Sequence, residues 1–244
     1  MTRYTRRQTL RLILMAGTAL AASRVLAAEY GRGAGMPWSP MSGEVPYYGT
    51  GADRFFSRDE RLAVAAICAR LIPSDEDGPG ATEADVVTFI DRQMAGFYGR
   101  AQHWYMQGPF AEGTSTQGYQ SEHPPAMLYR LALVELDEHC RAQRGGAFAE
   151  LTEEDQDAVL TGLDEEEITF ERVSAKAFFD LVLENTVEGF FADPIYGGNR
   201  DMVGWRYVGF PGTRYDYRDF IDHNGAAIAL EPVSLQGRPG WSQP

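Results

Sequence analysis

The chain is poor in the side chains that most often do chemistry. Its 244 residues hold two cysteines and four histidines. No Cys-x-x-Cys-His occurs, which excludes a covalently attached c-type haem. No His-Glu-x-x-His occurs, and His103, His123, His139 and His223 fall in no order that suggests a Ser-His-Asp set. The glycines of 197–204 lack the Gly-Lys-Ser/Thr ending of a phosphate loop. Gly31-Arg32-Gly33-Ala34-Gly35 lacks the last spacing of a dinucleotide fingerprint, with no strand before it and no helix after it. Basic residues are also in deficit, 22 against 35 acidic, for a formal charge of −13. Five of them (Arg3, Arg6, Arg7, Arg11, Arg24) precede Ala28 with no acid among them, leaving 17 basic against 35 acidic residues beyond. Such a balance argues against nucleic acid or an anionic membrane surface as a direct partner. No internal repeat is present, and no apolar run is long enough to cross a bilayer comfortably.

What is present begins with an export segment. Thr5-Arg6-Arg7-Gln8-Thr9-Leu10-Arg11 carries the paired Arg6 and Arg7 of a twin-arginine (Tat) signal, followed by a modest apolar run over 12–22. Small and apolar residues before Ala28 suit cleavage after Ala27, so residues 1–27 are read as a Tat signal peptide. An ordinary Sec signal is the alternative. Residues 28–54, rich in Gly, Pro and aromatics, read as an irregular arm.

From there the pattern is helical. Ser57-Arg58-Asp59-Glu60 spells a capping box for a helix that Pro73 stops. Residues 74–80 form an acidic loop without the spacing of a calcium-binding hand. Thr82 is the expected cap of a second helix, and Pro124-Pro125 open a third that runs to Gly145-Gly146. Thr152 starts a fourth. Glu135, Glu138 and His139 lie close on the third helix, but the two Glu-x-x-His repeats of a di-iron bundle are missing, so a solvated helix face is expected there. Cys68 and Cys140 each fall on the apolar side of a predicted helix. Export permits a disulfide between them; two buried thiols are the other reading.

The stretch around which the chain is organised is 174–212. Its first half is apolar nearly all round a helical wheel (Phe178, Phe179, Leu181, Val182, Leu183, Val187, Phe190, Phe191), so it needs cover on more than one side. Asp193-Pro194 ends the helix. Gly197-Gly198 permits a sharp turn, Asn199 is a plausible cap for a short aromatic helix, and Phe210-Pro211-Gly212 stops it. The Phe-rich helix is expected inward. The turn is expected to present an interface formed by Pro194, Tyr196, Gly197, Gly198, Asn199, Arg200, Trp205, Arg206, Tyr207 and Phe210, residue types frequent at binding hot spots.

Two stretches, FFADPIYGGNRDMVGWRYVGFPG over 190–212 and IPSDEDGPGATEADVVTFIDR over 72–92, resemble the gluconate 2-dehydrogenase subunit 3 family. These are the small (gamma) subunits of bacterial, membrane-associated, FAD-dependent sugar and sugar-acid dehydrogenases. The resemblance implies a non-catalytic accessory subunit that itself carries no flavin, haem or metal. It implies FAD in a large partner subunit of the glucose-methanol-choline kind and haem c in a multihaem cytochrome subunit. It also implies a periplasmic complex attached to the cytoplasmic membrane through partner subunits and exported by the Tat translocase. The expected fold class is all-α, with five to six helices in one domain over 55–212, an arm before it and an extended tail over 213–244. Readings from other classes are a stand-alone exported enzyme using a cleft near Arg200, and a carboxylate metalloprotein.

Overall fold

Ser57 starts the first helix as its sequence dictates. Its hydroxyl accepts the Glu60 N–H at 3.3 Å, and the Glu60 carboxylate accepts the Ser57 N–H at 2.7 Å. In the computed structural model, which describes residues 55–235 apart from 112, 115, 215, 216, 218, 219, 224 and 227–229, this capping box opens α1 (Arg58–Leu71). Residues 1–27, read as a Tat signal with Arg6 and Arg7, residues 28–54, read as an irregular arm, and residues 236–244 lie outside the described residues.

Five more helices follow: α2 (Val86–Ala95), α3 (Pro125–Arg144), α4 (Glu153–Asp164), α5 (Ala175–Phe191) and α6 (Val203–Val208). Short 3-10 turns lie at Phe148–Glu150, Pro194–Tyr196 and Arg200–Met202. Among the described residues there is no strand, only an isolated bridge between Gly212 and Val233. The all-α expectation is met, and local chemistry explains most of the ends. Thr152 and Ser174 cap α4 and α5 by accepting the N–H of Asp155 and Ala177. Gly145, at φ 82°, closes α3 in the left-handed region that glycine enters without steric cost.

α2 departs from the expectation. Thr82 is exposed and does not cap it. The helix starts four residues later, behind Asp85, whose backbone is left-handed at φ 53°. The reason lies in long-range bonds. The Asp85 carboxylate takes the guanidinium of Arg200 at 2.7 Å and that of Arg61 at 3.7 Å, and it accepts the Thr88 hydroxyl at 2.9 Å.

The core forms where α1 to α4 close on α5. Ile67, Ile90, Met94, Leu128, Tyr129, Leu136, Phe148, Leu163 and Phe178 are all fully enclosed. At roughly 1.5–3 kcal/mol per fully buried large apolar side chain, this cluster is the main source of stability. Asp91, itself buried, accepts the Phe55 and Phe56 N–H groups at 2.9 and 2.8 Å and so fixes how the chain enters α1. Glu135 is buried too, correcting the solvated face expected around it. Its carboxylate accepts the backbone N–H groups of Glu171 and Arg172 and ties the α4–α5 connection to α3.

Candidate functional site

The chain leaves α5 at Ala192 and folds back at once. Asp193, buried, accepts the Ile195 N–H at 3.1 Å and starts the first 3-10 turn. Gly198, at φ 72°, then passes so close to α5 that an added Cβ would lie 2.3 Å from the Gly189 carbonyl oxygen. No other residue fits without displacing backbone. Asn199 acts at longer range than expected. Its Nδ2 donates to the Ala192 carbonyl at 2.8 Å, and its Oδ1 accepts the Gly204 N–H at 2.9 Å, on the first turn of α6. The Trp205 indole N–H donates to the Phe191 carbonyl at 2.7 Å, satisfying a group left open at the end of α5. Arg200, partly exposed, crosses to Asp85 at the start of α2.

The turn is therefore held from within, and its residues divide by exposure. Pro194, Gly197, Gly198, Asn199 and Trp205 are buried in this chain, whereas Tyr196, Arg206, Tyr207 and Phe210 are exposed. Tyr207 packs against the acidic 74–80 loop, where a Cβ on Gly78 would meet its ring. Val208 is exposed beside it. Part of the C-terminal tail returns to this place: Val233 and Ser234 are buried, and the Ser234 hydroxyl donates to Asp193 at 2.8 Å. Nothing in the sequence pattern marked that return, because a Val-Ser pair in a Pro- and Gly-rich tail carries no periodicity.

The outer side of α5 departs from the inward placement expected for it. Leu183, Val187 and Phe191 face outward and are 37%, 44% and 39% exposed. Because the wheel is apolar nearly all round, it could not show which row is left uncovered. The inward side carries a polar chain inside the core. The Tyr129 hydroxyl donates to Asn185 Oδ1 at 3.1 Å, and Asn185 Nδ2 donates to the Tyr98 hydroxyl at 2.9 Å. Burial pushes the Tyr98 phenol up to about 12, against the opposing Asn185 bond.

Neither cysteine is bonded to the other. Cys68 and Cys140 are free and buried, and Cys68 Sγ lies 3.3 Å from the Thr186 hydroxyl. Burial raises the Cys68 thiol to about 12 and the Cys140 thiol to about 11, so both are held protonated. Among the described residues no three His, Cys, Asp or Glu side chains gather as a metal ion would require. No described helix is long and apolar enough to cross a membrane. Exposed apolar and aromatic side chains thus stand on the outer side of α5 and on the turn that follows it.

Comparison with known proteins agrees with that architecture. Neither the curated proteins nor the solved structures yielded a significant match. The family model described as gluconate 2-dehydrogenase subunit 3 matches residues 58–212. That span starts at the first residue of α1, ends at the glycine that closes the turn, and takes in both stretches that carry the resemblance. The chain belongs to the gluconate 2-dehydrogenase subunit 3 family.

Proposed function

We propose that this chain is the accessory (gamma) subunit of a periplasmic, FAD-dependent gluconate 2-dehydrogenase-type complex. In this reading a large subunit of the glucose-methanol-choline kind binds FAD and oxidises a sugar or sugar acid. A multihaem cytochrome c subunit passes the electrons on and attaches the complex to the cytoplasmic membrane. This chain supplies the Tat signal, exports the folded flavin subunit with itself and stabilises it by burying surface against it. Binding to the folded state alone stabilises a partner in proportion to affinity and concentration.

One observation carries the reading: a well-packed domain leaves large apolar side chains outside. Leu183, Val187, Phe191, Tyr196, Tyr207, Val208 and Phe210 all lie between 37% and 56% exposed, on α5 and the turn that follows it. Other large apolar side chains are exposed elsewhere, Phe97, Tyr105 and Ile221 among them. These seven, however, share α5 and the turn that follows it, and neighbouring apolar exposure of that kind is typical of an interaction surface. The twin arginines suit the same role, since the Tat route carries folded cargo and a flavoprotein acquires FAD before export.

Co-expression of the flavin subunit with and without this chain tests the proposal. The flavin subunit is expected in the periplasm only when this chain is present, and to stay in the cytoplasm or be degraded without it. Exchange of both Arg6 and Arg7 for lysine is expected to strand the pair inside. Export and dehydrogenase activity that persist in the absence of this chain would refute the accessory role.

A further inference from the structure

The outward side of α5 carries two parallel rows, each with a period of four residues. One is Leu183, Val187 and Phe191; the other is Asp180, Glu184 and Glu188, all six exposed. Residues four apart stand one above the other on a helix, so the acidic row places like charges in successive turns, an arrangement that destabilises a helix. Lys176 pairs with Asp180. Glu188 receives only a long 3.4 Å bond from Asn185. Burial, and next the Glu184 charge, push the Glu188 carboxyl above its ordinary range. The apolar row does not stop at Phe191. Buried Trp205 is bonded to its carbonyl, and the exposed Phe210 ring lies 5.2 Å from that of Trp205, just beyond α6.

Beside the acidic row lies a groove of about 900 Å³ between α5 and the α2–α3 connection. Three aromatic rings line it in series: Tyr98 to Trp104 at 5.4 Å and Trp104 to Tyr119 at 5.0 Å. Asp180 and Glu184 form its α5 wall, with Glu122 and Glu171 also lining it. Arg172, the one arginine or lysine among the described residues that line it, pairs with Glu135 and Glu138 at 3.9 and 3.7 Å. His123, which also lines it, stands 3.7 Å from Glu122. Aromatic faces and carboxylates in one groove favour a positively charged guest.

We infer that this side of α5 is the docking face for a basic, apolar segment of the dehydrogenase subunit, whose apolar side chains cover Leu183, Val187 and Phe191 while an arginine or lysine enters the aromatic groove beside Glu184. The naming of that partner rests on the accessory-subunit reading. Charge selects the occupant. A second copy of this chain would set acidic row against acidic row, and an anionic lipid surface would be repelled in the same way. A cationic partner relieves the repulsion along α5 and matches both rows at once.

The test is a binding titration between the purified full chain and the FAD-dependent subunit, with Val187→Asp, Glu184→Lys and, as a control on another helix, Leu62→Asp, which is 52% exposed on α1. Val187→Asp and Glu184→Lys are each expected to raise Kd on the order of tenfold or more, with Leu62→Asp near the unchanged value. Raised salt is expected to weaken the unchanged chain more than Glu184→Lys. Glu184 is exposed and outside the core, so its reversal reports on binding even if Val187→Asp folds poorly. If the unchanged chain binds and both variants bind as tightly, the docking face is wrong and the accessory role stands. If the unchanged chain does not bind the flavin subunit at all, both fall. A dimer of this chain dispersed by Val187→Asp, or adsorption to anionic phosphatidylglycerol vesicles lost in that variant, would give the face to another occupant and overturn the inference.

Discussion

Asp85 bridges three elements from a left-handed backbone position, holding Arg61 of α1, Thr88 of α2 and Arg200 of the turn. Asparagine tolerates that backbone almost as well as aspartate, so Asp85→Asn removes the charge and little else. The expected loss is about 1.5–3 kcal/mol, the range for hydrogen bonds to charged groups, read as a lower denaturant midpoint with unchanged slope. Glu188 behaves in the opposite sense. Its carboxyl is raised by burial and then by Glu184, so the folded chain binds its proton more tightly than the unfolded chain. Its contribution to stability is therefore greatest at low pH and is lost as pH rises from about 4.5 through the raised value. Glu188→Gln is expected to stabilise the isolated chain at neutral pH by about 0.5 kcal/mol or less, as for relief of one like-charged pair on a partly exposed helix face. It should also flatten the fall in stability across that window, as followed by melting temperature against pH.

Among the elements, the junction of α5 and α6 leaves little room for change. Gly198→Ala combines a positive φ with a Cβ driven into the Gly189 carbonyl, and about 2 kcal/mol or more of stability is expected to go, measured by chemical denaturation. This element also shows how far a sequence can be read. The capping box at Ser57, the threonine before α4 and the glycines after α3 are local signals, and each helix end they mark is present. The late start of α2 was not legible, because Asp85 is committed to partners 24 residues before it and 115 residues after it in the chain. Glu135 escaped for the same reason: its partners are backbone amides of a distant connection. On α5 the difficulty was of another kind. Apolar residues all round a helix announce that it is covered on several sides, and the side left open is decided by which helices arrive, a property of the assembled fold.

At the scale of the whole molecule, the two thiols report on global opening. Cys68 sits on α1 and Cys140 on α3, both buried and held protonated, so neither reacts unless the core parts. The native chain is expected to be inert to a thiol reagent at pH 8 and to release two equivalents once denaturant is added without reductant. Fewer than two would reveal a bridge or an oxidised thiol. The core legible in the sequence and the core observed agree on this point, since each cysteine had been placed on the apolar side of its helix by spacing alone.

The Arg200–Asp85 ion pair has a consequence for anyone building hybrids within the family. The two segments by which kinship is recognised, 72–92 and 190–212, are far apart along the chain yet form one clasp in space. Transplanting either segment from a relative without its counterpart would join halves shaped for different mates. Successful grafts should be those that move both together.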